Sequence, residues 1–311
     1  MDRGSVDPTR MLIETMPQEG TAIRARLGTF YAASFLVVGI QTPFWPVWLA
    51  GRGLDYGRIR VWGSLSFIIA AIGTGALLGG NNGEAVPGNT VLALVLVASA
   101  LLLLACCWIP PGAAAAAAGR ARWAALGRFA ADRRFWLFVA SGAALQSSHQ
   151  LYYGFGTLYW RELGFTDPVI GVLWAEGVLA EIVLFWYSAR LVARLGPLGL
   201  MALGGIAGVL RWSLMGIVPA LAAAAVLQLL HALTFGASHL GAMYFMARSV
   251  PPGAAASAQS LYAAVSAGLG SGLVMLVAGA LYGAYGGQAY LFMAVLSAAG
   301  LGGVVALARR R

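Results

Sequence analysis

Nine apolar runs restrict this chain more than any other feature. They fall at about residues 27–50, 61–79, 90–109, 135–160, 169–189, 198–217, 219–247, 257–282 and 288–307. Each is close to the length that carries a helix across ~30 Å of hydrocarbon. No water inside a bilayer can bond a free backbone group, so every crossing must satisfy its own N–H and C=O groups. The ~10-residue alternation of a membrane barrel is missing from the sequence. The expectation is an all-α integral membrane protein with about nine spans.

Charge then orients the spans. Only 10% of the residues are charged, against roughly 25% in an ordinary soluble domain. All twenty basic residues are arginine. The net charge of +9 is read as a topological signal and not as a nucleic-acid footprint, because the arginines sit in short loops between runs. If the 51–60 loop is cytoplasmic, so are 110–134, 190–197, 248–256 and the end at Arg309, Arg310 and Arg311. The loops left outside then carry one arginine, Arg161. The exception is the N-terminal tail with Arg24 and Arg26, which this arrangement puts outside. The chain is thus expected to have a cytoplasmic C-terminus and a first span at odds with the rest.

Smaller signals complete the survey. Gly204/Gly208 and Gly268/Gly272 have the four-residue spacing that lets membrane helices approach closely. Cys106 and Cys107 are adjacent inside an apolar run, where neither a regular disulfide nor a metal site fits them, so they are read as packing residues. The polar segment 1–26 is read as a tail without a cleaved leader. The basic connection 110–134 offers Trp123 and Phe129 as interfacial anchors. Phosphate-binding, zinc-protease and serine-hydrolase signatures are missing, so neither an enzyme nor a cofactor is expected.

Five stretches carry a family likeness: LDYGRIRVWGS (54–64), QSSHQLYYGF (146–155), AEGVLAEIVLF (175–185), VLRWSLMG (209–216) and LQLLHALTFGASHLGAMY (227–244). Taken together they resemble the phenylpropionate permease group of the major facilitator superfamily, relatives of the lactose-permease type of proton symporter. Residues 28–53 resemble the first span of the same group. The resemblance implies a multi-pass protein of the inner membrane, built as two six-helix halves with both termini cytoplasmic. It also implies proton-coupled symport of a small organic, possibly aromatic, acid. In that family the D-Y-G-x-x-R-x-W-G-S loop joins the fourth helix to the fifth. Here it follows directly on the first-helix-like run, so the second to fourth helices have no counterpart.

The layout expected is therefore a tail (1–26), a three-helix partial N-terminal half (27–109), a basic cytoplasmic linker (110–134) and a six-helix C-terminal half (135–311). Loss of three spans inverts the connection, which is the conflict the arginines register. Span 27–50 is expected to enter from outside and occupy the slot of the missing fourth helix. Two alternatives stay open: a transport-inactive remnant acting as a membrane interaction protein, and a sugar or nucleoside symporter.

Ionisable groups inside the runs are few. A charge at the bilayer centre costs ~3 kcal/mol or more, so such a group marks a cavity or a partner. In the assigned topology His149 lies about 11 residues from the outer end of its span, Glu176 about 8, Arg211 about 6 and His231 about 12, a layer ~9–18 Å deep. Secondary transporters hold their substrates near mid-membrane. Arg211 stays charged and suits bidentate pairing with a carboxylate. It is the candidate receptor for an acidic substrate, with pairing to Glu176 or snorkelling to the headgroups as alternatives. His149, Gln228 and Tyr152 complete the substrate set.

Glu176, His231, Glu181 and His239 are candidate proton sites, each with a helix–helix hydrogen bond as the plainer reading. Glu181 lies about 140° round its helix from Glu176, and His239 about 80° from His231. The resemblance adds Glu, Arg and His on the second, third and fourth helices of the C-terminal half as a coupling set. The carboxylate that set carries one turn after the histidine is Thr234 here. Asp55, Arg58 and Arg60 are candidate gating residues at the cytoplasmic face. Tyr152, Tyr153, Tyr159 and Trp160 are read as an interfacial aromatic belt, with substrate stacking by Tyr152 or Tyr153 as the alternative. The expected partners are a small-molecule substrate, protons and the lipid bilayer.

Overall fold

The computed structural model describes residues 25–34, 36–38, 41, 52, 56–79, 88–109, 131–250 and 255–309. Asp55, most of the 110–134 linker and the side chains of Arg58 and Arg60 lie outside that set, and with them the gating assignment. Among the described residues all regular structure is helical. Residues 25–34 and 36–38, inside or beside the expected first span, are helical. There follow α1 (Tyr56–Gly79) and α2 (Gly88–Trp108), then α3 (Arg133–Ser147) and α4 (Gln150–Glu162), which together form one broken rod. Next come α5 (Asp167–Trp186), α6 (Ser188–Ile217), α7 (Leu221–Leu229) and α8 (Ser238–Ser249). The chain ends with α9 (Ala255–Ala263), α10 (Ser271–Tyr285) and α11 (Tyr290–Arg309). Wider π turns link α7 to α8 over Ala232–Ala237 and α9 to α10 over Ala264–Gly270.

Five described stretches are long and apolar enough to cross a bilayer: Asn89–Trp108, Asp167–Trp186, Ser188–Ile217, Leu221–Ser249 and Ser257–Arg309. The last turns back at Gly286, whose φ of 53° lies where side-chain-bearing residues are strained. This is a multi-pass, all-helical membrane protein. A second glycine also sets the path of the chain. Gly196 has φ 67° and breaks α6 into a short piece and a long one, and Pro197 then opens the long piece with its fixed φ. The expected loop at 190–197 is therefore mostly helical.

Packing in the C-terminal part has a layered logic. One apolar cluster gathers Leu151, Tyr159, Trp160, Leu173, Trp212, Leu227 and Tyr290. Another gathers Phe138, Val139, Leu145, Met201, Phe245, Tyr262 and Leu307. The α3–α4 rod, α6 and the α7–α8 rod each run from one cluster to the other. On all three, the buried residues between the clusters are small or polar, among them Ser147, Ser148 and His149; Gly204, Gly208 and Arg211; Gln228, His231 and Thr234.

Gly204 and Gly208 make the close approach expected of them. A methyl added to Gly204 would meet Ser238 Oγ and, at 2.9 Å, the Leu233 carbonyl; one on Gly208 would meet Ser297 Oγ at 2.6 Å. Gly268 and Gly272 do not, since open space surrounds their Cβ positions. The packing role read for Cys106 and Cys107 is also corrected. Both are exposed because α2 buries none of its described residues.

Candidate functional site

Local chemistry explains why the α3–α4 rod breaks at the polar layer. Ser and His side chains compete for backbone carbonyls that a helix would otherwise use. Ser148 Oγ donates to Leu145 O at 2.7 Å. His149 Nδ1 lies 3.1 Å from the same carbonyl and 3.2 Å from Gln146 O. Two carbonyls on one ring nitrogen assign the proton to Nδ1, which leaves Nε2 as an acceptor. It faces the Thr234 hydroxyl at 3.0 Å.

Arg211 stands at the centre and is completely buried. Its Nη2 donates to Gln228 Oε1 at 2.6 Å. Its Nη1 donates to Thr234 Oγ1 at 3.1 Å and meets His231 Nδ1 at 3.1 Å. A guanidinium can only donate, so His231 Nδ1 carries no proton in this arrangement. The amide of Gln228 is fixed in turn, donating to the Tyr152 hydroxyl and to Leu173 O, both at 2.8 Å. The rings of Tyr152 and Trp212 lie 4.7 and 4.6 Å from the guanidinium carbon, within cation–π range. Trp212 is itself held by a bond from Nε1 to Ser148 Oγ at 3.2 Å.

What is missing is as informative. Among the described residues no carboxylate pairs with Arg211; the ion pair of Arg161 with Asp167, at 2.7 Å, is on the surface. Arg211 Nε is buried without an acceptor. A buried charge normally has an ionic partner, because desolvation costs several kcal/mol. Here neutral oxygens, an imidazole and two π faces take its place. Such a site has room, electrostatically, for one negative charge.

Four of the expected residues thus come together around Arg211: His149, Tyr152, Gln228 and His231. Glu176 does not join them. It is half-buried against Pro168, Val172 and Leu221 in a shallow groove between α5 and α7, and it makes no pair with Arg211. Glu181 is buried on the other face of α5, with its Cγ 3.5 Å from the Cβ position of Gly236.

His239 is aligned with His231 instead of about 80° away. The rings of His231, Phe235 and His239 form a column at 5.5 and 5.9 Å with interplanar angles of 6° and 1°. The cause is the π turn between them, which adds a residue per turn and cancels the α-helical drift. The belt reading is overturned as well. Tyr152, Tyr159 and Trp160 are buried, and only Tyr153 of that group is exposed. Tyr153 stacks near Trp174 at 6.4 Å, beside the layer.

Three contributors were not singled out as site residues. Thr234 bridges Arg211 to His149, Trp212 covers the guanidinium, and Trp174 stacks on Tyr152 at 4.4 Å. The i, i+3, i+6 spacing of Gln228, His231 and Thr234 was the available signal for the first.

Comparison with known proteins speaks to family and fold. The MFS_1 like family matches residues 49–294. A probable 3-phenylpropionic acid transporter of Escherichia coli (strain K12) is 33% identical over 251 residues, covering 80% of this chain and 65% of the relative. Maltose permease of Geobacillus stearothermophilus is 26% identical over 268 residues, covering 83% and 64%. The chain therefore spans slightly less than two thirds of the length of these relatives. Among solved structures, the nucleoside transporter NupG (D323A mutant) superposes with a TM-score of 0.70 at 19% identity, covering 87% of this chain and 73% of that one. At that identity the likeness speaks for the fold alone. With a helical bundle and a family match over most of its length, this chain belongs to the MFS_1 like family of the major facilitator superfamily.

Proposed function

We propose that this protein works in secondary transport of a small organic acid, of the arylpropionate class, across the cell membrane together with a proton. The observation that carries the reading is the buried Arg211 guanidinium, with an unbonded Nε–H and, among the described residues, no carboxylate beside it. A substrate carboxylate would supply the missing charge and take the two-pronged contact that arginine favours. The aromatic groups Tyr152, Trp174 and Tyr153 suit an aryl tail, and the 3-phenylpropionic acid relative supports the same class.

Proton coupling follows from His231. Its Nδ1 accepts from Arg211 only while unprotonated. A proton arriving there turns an acceptor into a donor, breaks the contact and frees one arm of the guanidinium for the anion. Proton and anion then favour each other's binding, which is the logic of symport. Glu176, on a separate face, is a second proton site in this scheme. His149 holds Thr234, and Glu181 and His239 are further proton sites in this scheme.

The test is binding of 3-phenylpropionate to the purified protein by calorimetry. Arg211→Gln removes a charge-assisted bond of roughly 1.5–3 kcal/mol, so affinity should fall at least about tenfold. Unchanged affinity removes the assigned role. Competition by maltose or a nucleoside, with no binding of the acid, would redirect the substrate class. A second reading, a bundle that binds without transporting, is supported by the first-helix-like run leading straight into the 54–64 loop. Uptake into vesicles that collapses with a protonophore decides for transport.

A further inference from the structure

A groove lies away from Arg211, at the corner where α5 turns into α6. Its volume is about 630 Å³, and its walls include Val183 and Leu184 of α5 and Leu229 and Leu233 of the α7–π rod. Its mouth carries Tyr187, Arg190 and Arg194. The two arginines are four residues apart on the short piece of α6 before the Gly196 break, so they share a face. Both are exposed. Arg190 lies 5.7 Å over the Tyr187 ring. Among the described residues no acidic side chain lines the groove, and neither arginine makes an ion pair.

We infer that this groove is a binding site for an anionic phospholipid, with the phosphate on Arg190 and Arg194 and one acyl chain along the apolar walls. Three observations converge on that occupant. The walls are apolar from the corner back to Ala180, seven residues up α5, a depth of about 10 Å. That is two thirds of a ~15 Å leaflet, the reach of an acyl chain and far more than a free anion needs. The charge is confined to the end where headgroups lie. The arginine distribution along the chain also assigns this corner to the cytoplasmic side, where anionic lipids concentrate and attract basic residues near the helix ends. The site uses no residue of the Arg211 layer, so it stands or falls independently of the transport proposal.

The test uses the full chain in a neutral detergent, read by native mass spectrometry and by lipid-induced shift in melting temperature. Phosphatidylglycerol is compared with phosphatidylcholine of the same chains. At about 1 kcal/mol per arginine near the surface, the anionic lipid should bind roughly thirtyfold tighter. Arg190→Gln with Arg194→Gln should remove that preference. Val183→Trp, which fills the apolar wall and leaves the arginines in place, should weaken phosphatidylglycerol severalfold while leaving glycerol phosphate unaffected. Equal binding of the two lipids, an undiminished preference in the double variant, or competition by glycerol phosphate as strong as by the lipid would each overturn the assignment.

Discussion

Helices α2 and α6 are both apolar enough to cross a bilayer, yet they end in opposite situations. α2 reads GNTVLALVLVASALLLLACCW, and its apolar window buries nothing against the described residues. α6 is less apolar, with glycines at 204, 205 and 208, an arginine and a tryptophan, and half of its window is buried. Hydrocarbon surrounds both, so there is no solvent-driven reason for either to leave lipid for protein. What holds α6 is close backbone approach and hydrogen bonding. Gly205 lets Leu301 of α11 in, where an added methyl would meet its Cβ at 2.9 Å. Arg211 ties α6 to Gln228, His231 and Thr234 of the next rod. Apolarity inserts a helix; small and polar residues dock it.

The sharpest way to break that contrast is to fill the closest approach. Gly204→Leu would drive a side chain into Ser238 and the Leu233 carbonyl, a backbone atom that cannot swing aside. Overpacking of this kind costs on the order of 3 kcal/mol. The variant should lose its cooperative melting transition in detergent or elute as aggregate. A melting temperature equal to that of the parent would mean α6 is not docked through its glycines.

Helix α1 lies between the two extremes and gives the next test. It touches α5 where Gly75 meets the Asp167 carbonyl and Gly171 meets the Ala71 carbonyl, each 2.7 Å from an added methyl. Elsewhere it is largely exposed, with Trp62 and Ile69 more than 70% so. Gly75→Leu should therefore release α1 alone, at about 1–3 kcal/mol. Hydrogen exchange should rise across 56–79 while amides of α6 and α11 keep their protection. Equal loss of protection in both would show that α1 and the bundle form one cooperative unit.

How much of this was legible in the sequence follows the same division. The apolar run expected at 169–189 is α5 at Asp167–Trp186, and that expected at 219–247 is the α7–α8 rod, because insertion depends on length and apolarity alone. The common layer of His149, Arg211 and His231 was legible from depth along each run, and the same reading put Glu176 in it. Rotation was not. The π turn at Ala232–Ala237 aligned His239 with His231 against the α-helical count. The Ser148 break and the long-range fit around the guanidinium turned Tyr152 from a belt residue into a buried partner. Glu176 shows the limit most clearly. Its depth is right for a bond to Arg211, and its direction is wrong, because depth is read from one helix and direction from its neighbours.

The smallest predicted effect bears on α2. Its leucines, valines and alanines face outward, so they are interchangeable as far as packing is concerned. Exchanging Ala98 with Leu102 keeps composition, length and insertion energy constant and changes only which face is bulkier. Surface substitutions that touch no specific feature stay within about 0.5 kcal/mol, and the melting temperature should move by no more than its error. The matched exchange on α6, Gly208 with Leu210, keeps composition constant too but presses a leucine on Ser297 and should unfold the protein. If the α2 exchange instead lowered stability by 1 kcal/mol or more, α2 would have a docked face after all. The contrast between inserting and docking would then have to be drawn within the helix and not between helices.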